Sequence, residues 1–266
     1  MDALRKVPGP VRNTLTWLHW LYAISGRKHR CYRCGRSLRS FYPFRNGSGY
    51  AWKPYLTHIH PSVWSCPHCH AVCRQQHLCM YLDRLDLWST LTDAAVLHFA
   101  PEEHIKARIE KHNPGIYVKG DLYPPSPDIQ RIDITDIPYP DASFDVVFCS
   151  HVLEHIPDDE KALRELFRVL KPGGWAVLQT PYFPILQNSF SDPALNTDEL
   201  RRLYYGQNDH VRIYGRDLFL KIESVGFTLQ TKSHTQVLSD IDANYYGVDP
   251  TEELMLVTKG ARKRIP

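Results

Sequence analysis

Two pairs of cysteines in the N-terminal third of the chain have the spacing of metal ligands. They are Cys31 and Cys34, and Cys66 and Cys69, each pair separated by two residues. Each Cys-X-X-Cys turn can offer two thiolates, and four thiolates complete a tetrahedral zinc site. Such a site has no open coordination position, so the sequence predicts a structural Zn²⁺ ion. Disulfides are the weaker alternative for these cysteines.

The segment between the two pairs is longer than in most zinc ribbons and must carry structure of its own. Its composition predicts a β-hairpin that turns at Asn46 to Gly49. Three nearby side chains could replace a cysteine that is not a ligand, namely His68, His70 and Cys73. The sequence therefore predicts a small zinc-ribbon-like domain over residues 1–85.

A second set of candidate side chains follows the buried strands of the later segment 132–181. Two apolar runs, Phe144–Ser150 and Trp175–Thr180, are too short for helices and predict strands. The amphipathic segment between them predicts a helix, with Asp158 and Asp159 at its N-cap and a stop at 171–174. A strand, helix, strand crossover is typical of a doubly wound α/β sheet, whose ligands bind beyond the carboxyl ends of the strands.

The net charge of +3 conceals two halves of opposite sign. Residues 1–85 contain 13 Lys and Arg against two acidic residues, whereas residues 86–266 contain 19 against 27. This asymmetry favours attraction across an interdomain contact, and a basic face for nucleic acid is the alternative.

The most apolar early segment is residues 11–24, which predicts an amphipathic helix with an apolar face that includes Leu18 and Tyr22. It is interrupted by Arg12, Asn13 and His19 and is too short for a membrane span. It also lacks the order of a signal peptide, so we expect a cytoplasmic protein with no membrane segment.

The motifs of the later segment resemble a known family. IDITDIPYPDASFDVVFCSHVLEHI, followed by LRELFRVLKPGGWAVLQTP, is similar to class I S-adenosylmethionine-dependent methyltransferases that carry an LEH box and an RVLKPGG turn. The resemblance covers residues 90–260 and implies a doubly wound, Rossmann-like α/β methyltransferase sheet over residues 86–266, finished by an antiparallel hairpin. It implies S-adenosyl-L-methionine as the cofactor.

In this family the first strand ends in a glycine-rich loop, but here the strand at 94–99 leads into Ala100, Pro101 and Glu102. The methionine end of the cofactor must then be held differently. Glu102 either accepts a hydrogen bond from the cofactor ammonium or is a carboxylate favoured at a helix start.

The remaining cofactor contacts implied by the resemblance follow the next two strands. Asp121, after the strand at 116–119, is expected to accept the ribose hydroxyls. Asp133 matches the position that contacts the adenine amino group, with turn formation as the alternative, and Ile134 offers an apolar wall. Ser150 and His151 are expected to line the site at the end of the strand at 144–150.

A long polar insertion after Pro181 is expected to serve the acceptor. Tyr182, His210, Arg212 and Tyr214 either contact the substrate or only hold this loop together. His151 or His210 could act as a general base, because histidine titrates near neutrality. The resemblance implies a structural role for Glu154 and His155 of the LEH box.

The sequence thus favours a methyltransferase that acts on a small molecule or natural-product intermediate. One alternative is an RNA methyltransferase that uses the basic zinc module to bind nucleic acid. Another, motivated by the missing glycines, is a fold that binds S-adenosylmethionine for other chemistry, or that only binds a partner protein.

Overall fold

The computed structural model describes residues 9–43 and 65–260, with side chains from Trp17 onward. The hairpin predicted at residues 46–49 lies outside the described residues. The described N-terminal elements are helix α1 (Gly9–Ile24), strands β1 (His29–Arg30) and β2 (Ser37–Leu38), which pair antiparallel, and helix α2 (Cys73–Arg84). The predicted apolar face of α1 is wrong in part, because Leu18 and Tyr22 are exposed whereas Ala23 is buried.

A seven-stranded mixed sheet forms the centre of the remaining chain. Its strands are β3 (Ala95–Phe99), β4 (Ile116–Asp121), β5 (Gln130–Arg131), β6 (Phe144–Ser150), β7 (Leu170–Gln179), β8 (Phe227–Leu229) and β9 (Leu256–Lys259). Their order is β5-β4-β3-β6-β7-β9-β8. The first five strands in this order are parallel, and β9 is antiparallel to both of its neighbours, β7 and β8. The predicted α/β class and antiparallel finish are therefore confirmed.

The strand order reverses between β3 and β6, which are direct neighbours although they are not consecutive. Ligands of doubly wound sheets bind in the crevice outside the carboxyl ends of the strands at such a reversal. Phe99 and Ser150 are the last residues of β3 and β6. The residues that follow them are consequently the first place to look for a cofactor site.

The helices after α2 are α3 (Glu103–Glu110), α4 (Asp159–Val169), α5 (Asp198–Tyr205), α6 (Asp217–Ser224), α7 (His234–Val237) and α8 (Ala243–Tyr246), with 3-10 turns at Trp88–Leu91 and Leu153–His155. Asp158 caps α4 as predicted, since its side chain accepts from the Lys161 amide. Helix α5 lies within the insertion that the sequence predicts only as a loop.

Helix α4 ends directly before the predicted stop at 171–174, and these residues lie in the first half of β7, which the sequence did not predict to begin here. Helix α4 already ends at Val169, and Leu170 pairs with Phe144 across a register shift in the ladder. A Cβ on Gly174 would lie 2.7 Å from the Asp145 carbonyl oxygen. Glycine is needed at 174 for close approach of two strands, whereas Gly173 adopts a left-handed φ of 77°.

The sheet has one apolar cluster that includes Leu163 and Leu166 of α4. A second cluster joins Tyr81 and Leu82 of α2 to Phe148 and Trp175 of the sheet. Helix α2 is therefore a packed layer of the sheet, and the boundary expected between residues 85 and 86 falls inside this apolar cluster. None of the helices in the described residues is long and apolar enough to cross a membrane.

Candidate active site and metal centre

The four predicted cysteine ligands converge in the described structure. Their sulfur atoms all lie within 4.8 Å of one another, with Cys31 Sγ 3.7 Å from Cys69 Sγ and Cys34 Sγ 3.9 Å from Cys66 Sγ. Four sulfurs at about 2.3 Å from one zinc ion in a tetrahedron are about 3.8 Å apart. The observed separations fit that geometry.

The two Cys-X-X-Cys turns have the same backbone conformation. The Gly35 amide donates to the Cys31 carbonyl and the His70 amide donates to the Cys66 carbonyl, each at 2.9 Å. Gly35 and His70 both have a positive φ, of 69° and 59° respectively. The left-handed residue bends each chain so that both cysteines of a pair face one point.

Helix α2 ties the cysteine cluster to the sheet. Gln76 is buried on this helix, and its Oε1 lies 3.3 Å from Cys31 Sγ while it accepts a hydrogen bond from the Tyr32 amide. Cys73 and Cys79 on the same helix lie outside the cluster, and burial raises the pKa of each thiol to about 12. Both therefore pack as small buried apolar side chains.

The loop after β3 keeps a glycine-like backbone without a glycine. Ala100 has φ of 45°, in the left-handed region, and its amide donates to the Gly120 carbonyl at 2.9 Å. Glu102 is the N-cap residue of α3, and its Oε1 lies 3.2 Å from Arg74 Nη2 of α2. The carboxylate is thus held by a basic side chain that sequence reasoning missed, because 28 residues separate the two.

The two acidic residues expected to hold the nucleoside are both accessible. Asp121 ends β4, is half-buried and accepts a hydrogen bond from the Tyr123 amide at 2.8 Å. Asp133 is exposed, and its Oδ1 accepts from the amide and the hydroxyl of Thr135. These two bonds agree with turn formation at Asp133, the alternative considered from the sequence. Ile134 is only 3% exposed and packs in the core.

Ser150 and His151 lie at the carboxyl edge, as predicted. Ser150 is buried at the end of β6 and pairs with Gln179. His151 has φ of 56°, and its amide donates to the Gln179 carbonyl at 2.7 Å. Its Nδ1 lies 3.2 Å from Glu154 Oε1. The imidazole is therefore oriented by a carboxylate three residues further along the chain.

Glu154 is a buried carboxylate for which the resemblance implied only a structural role. Its Oε2 accepts from the Thr180 hydroxyl at 2.7 Å. Burial opposes ionisation, but the hydrogen bond with His151 and the nearby His210 and His155 outweigh it and lower the pKa of Glu154 to about 2. The ring of His155 meets that of His210 edge to face at 4.7 Å. The signal in the sequence is the spacing His-X-X-Glu-His, which spans one helical turn.

Arg212 and Tyr214 hold the acceptor loop against the segment before α4. The Arg212 guanidinium lies 2.5 Å from Asp159 Oδ2 and donates to the carbonyls of Ile156 and Pro157. The Tyr214 hydroxyl, nearly inaccessible, donates to Leu153 and Asp159. Of the two interpretations considered from the sequence, these contacts favour the one in which this pair stabilises the loop.

Tyr182 and His210, the other candidate acceptor contacts, are also largely buried. The Tyr182 hydroxyl donates to Glu253 Oε2 at 3.1 Å, and burial together with Glu253 raises the pKa of Tyr182 to about 12. His210 is 7% exposed, and burial lowers its pKa. Neither side chain lies on an open surface.

Comparison with known proteins agrees with this architecture. Residues 80–178 match a family model described as a methyltransferase domain. These residues extend from the middle of α2 to the end of β7 and contain the strand reversal and the residues that follow it. The match supports a class I S-adenosylmethionine-dependent methyltransferase domain, as the sequence motifs imply.

The chain is similar to the "Probable S-adenosylmethionine-dependent methyltransferase" of Mycolicibacterium smegmatis, with 32% identity over 126 residues, 46% of this chain and 45% of the relative. It is 40% identical over 76 residues, 29% of this chain and 25% of the relative, to the "Ubiquinone/menaquinone biosynthesis C-methyltransferase UbiE" of Vibrio campbellii. A solved S-adenosylmethionine dependent methyltransferase from Mesorhizobium loti superposes with a TM-score of 0.45 and 16% identity, over 68% of this chain and 98% of that one. The chain spans less than half the length of both sequence relatives.

Proposed function

We propose that this protein is an S-adenosylmethionine-dependent methyltransferase that acts on a small-molecule acceptor. The observation that carries the proposal is the match to a methyltransferase domain over a segment that includes the strand reversal and its carboxyl edge. A sequence relative is named as a quinone-biosynthesis C-methyltransferase, which supports a small-molecule acceptor rather than RNA.

The residues present fit the cofactor. Ala100 keeps the left-handed turn that lets the backbone approach a ligand, and Asp121 would accept the ribose hydroxyls at the end of β4. Asp133 and Ile134 would contact the adenine, and Ser150 would line the site at the end of β6. Bound there, S-adenosylmethionine supplies a methyl group already activated by its sulfonium.

The methionine end of the cofactor carries both an ammonium and a carboxylate. Glu102 would accept from the ammonium, and Arg74 is close enough to Glu102 to take the carboxylate. An ion pair from two different elements would thus replace the contacts that a glycine-rich loop provides. A chain without those glycines would hold the methionine end of the cofactor in this way.

His151 is the better placed of the two candidate general bases. Its Nδ1 faces the Glu154 carboxylate, an arrangement that would place the proton on Nδ1 and the basic lone pair on Nε2. His210 is buried against His155 and is less suited to proton transfer. The base is needed only if the acceptor atom is protonated.

The four-cysteine cluster is proposed to hold a structural Zn²⁺ ion. Its all-sulfur donor set and closed geometry suit zinc and leave no position for a substrate. Basic residues of α2 pair with acidic residues in the later part of the chain, with Arg74 on Glu102 and Arg84 on Asp240. These pairs support the interdomain attraction expected from the charge asymmetry.

Calorimetric titration of S-adenosylmethionine and S-adenosylhomocysteine into the zinc-loaded protein tests the proposal. Asp121→Ala should weaken binding of both about a hundredfold or more, since it removes hydrogen bonds between a carboxylate and two hydroxyls. Asp128→Ala is the matched control, because Asp128 is an exposed carboxylate near the same strand that pairs with Lys119. Absence of binding to the wild type, or an equal loss in both variants, would refute the cofactor site.

A further inference from the structure

Glu154, His155 and His210 bring three metal-ligating atoms together at the carboxyl edge of the sheet. One carboxylate oxygen and two imidazole nitrogens lie within 4.8 Å of one another. Glu154 and His155 belong to the 3-10 turn that follows β6. The Val211 amide donates to the Glu154 carbonyl at 3.0 Å, which fixes the neighbouring His210 beside that turn.

The charge balance of this cluster favours a cation. The Glu154 side chain is 2% exposed, and His151 Nδ1 lies 3.2 Å from its Oε1. His155 and His210 complete the cluster around this carboxylate. A buried carboxylate is normally paired with a cation or bound to a metal. One carboxylate and two neutral nitrogens are a suitable ligand set for a divalent ion.

Further contacts orient the ligands as the outer partners of metal sites do. The Thr180 hydroxyl donates to Glu154 Oε2 at 2.7 Å. His155 Nδ1 lies 3.2 Å from the Asp209 carbonyl oxygen and 3.5 Å from Asp209 Oδ2. A proton on Nδ1 directed at these oxygens leaves the lone pair of Nε2 for a metal. The His155 side chain is 30% exposed, so an ion can reach the cluster.

We propose that Glu154, His155 and His210 bind a divalent transition-metal ion, at a site separate from the four-cysteine cluster. Three protein ligands leave at least one coordination position open, unlike the closed set of four sulfurs. The open position would take an oxygen atom of the acceptor, because the cluster directly follows β6 and adjoins His151. This role for the ion rests on the proposed methyl transfer, but binding of the ion does not.

Zinc stoichiometry tests the site directly. Protein saturated with Zn²⁺ and then dialysed should retain two zinc ions per chain, measured by atomic emission. His155→Ala and His210→Ala should each retain one, held by the cysteines. His112→Ala should retain two, because His112 lies outside both clusters and stacks on Trp88. Circular dichroism establishes that each variant is folded. If His210→Ala does not fold because His210 is buried, the zinc content of His155→Ala tests the site.

The proposal is overturned if the wild type retains one zinc ion, or if His155→Ala retains as many as the wild type. Titration of S-adenosylhomocysteine into the same proteins separates this result from the proposed function. Loss of one zinc ion with unchanged cofactor binding supports the metal site. Failure of the wild type to bind S-adenosylhomocysteine would refute the proposed function, and the zinc content would still test the metal site by itself.

Discussion

Ala100 occupies a backbone conformation that costs an alanine about 1–2 kcal/mol. Its φ of 45° lies in the left-handed region at the end of β3, where the resembled family has glycines. The chain therefore differs from the resembled family in the side chain at this position and not in the backbone conformation. A single methyl group stands where the loop approaches the expected cofactor.

Ala100→Gly should relieve this backbone strain and raise the free energy of unfolding by up to about 1 kcal/mol, since the entropy lost by glycine offsets part of the gain. Ala162→Gly, in the interior of α4, is the control and should lower it by about 1 kcal/mol. Chemical denaturation of both variants measures the difference. A destabilised Ala100→Gly would show that the methyl group contributes packing that exceeds the strain.

His98 lies in the middle of β3, and burial, with Lys106 and Lys119 nearby, lowers its pKa to about 3. An unfolded chain takes up a proton on this residue below pH 6.5, which the folded chain resists until about pH 3. The stability should therefore fall as the pH decreases from 6.5 towards 3, by up to about 1.4 kcal/mol per pH unit from this residue.

His98→Leu should flatten the acid branch of the stability curve in that window. It also leaves the Tyr117 hydroxyl without its contact to His98 Nδ1 at 2.9 Å, so its stability at pH 7 should be lower. His112→Leu, outside the sheet, should keep the acid slope of the wild type. Urea unfolding at several pH values gives both slopes, and parallel curves for wild type and His98→Leu would contradict the assignment.

At the scale of elements, the acceptor loop depends on one buried carboxylate. Asp159 at the start of α4 receives Arg212, Lys221 and the Tyr214 hydroxyl. Burial works against ionisation of this carboxyl, but Arg212 and Lys221 outweigh it and lower its pKa. The acceptor loop, α4 and α6 therefore meet at the Asp159 carboxylate.

Asp159→Ala should cost about 3–5 kcal/mol of stability, because it leaves the buried Arg212 uncompensated. Asp158→Ala is the adjacent control and should cost about 1 kcal/mol, the usual value for an N-cap. Thermal unfolding of the two variants compares them directly. Equal losses would show that Asp159 contributes no more than a local cap.

The elements that the sequence predicted correctly are those determined by local patterns. The apolar run at 144–150 and the spacing of Leu163 and Leu166 need only their own neighbours to form a strand and a helix. The start of β7 was missed because Gly174 is required by Asp145 on the adjacent strand. Likewise, no local pattern indicates that Arg212 pairs with Asp159 or Arg74 with Glu102. Convergence of the four cysteines was predictable because their spacing is itself the signal.

At the scale of the molecule, the described part of the N-terminal module has a small buried cluster. Its buried members among residues 17–43 and 65–72 are Cys31, Leu38, Phe41 and Cys66, which is little apolar surface for an independently stable unit. A bound zinc ion would contribute about 10 kcal/mol or more to its folding. The metal would then be the main source of order in this part of the chain.

Cys66→Ser should lose the cysteine-bound zinc and the protection of backbone amides in residues 26–42, while β3, β6 and β7 keep theirs. Cys79→Ala removes a thiol outside the cluster and should retain the metal. Hydrogen exchange followed by mass spectrometry, with the zinc content, distinguishes the two. Unchanged protection in zinc-free Cys66→Ser would mean that Gln76 and the packing on α2 suffice without the ion.

Helix α2 sets where this protein can be divided. A shortened chain that starts at residue 86 would keep every motif of the methyltransferase resemblance and all seven strands of the main sheet. It would also bare the face formed by Phe148, Trp175 and their neighbours, which Tyr81 and Leu82 now cover. An uncovered apolar face of that kind promotes aggregation, so a shortened chain should begin before Cys73 if this face is to stay covered.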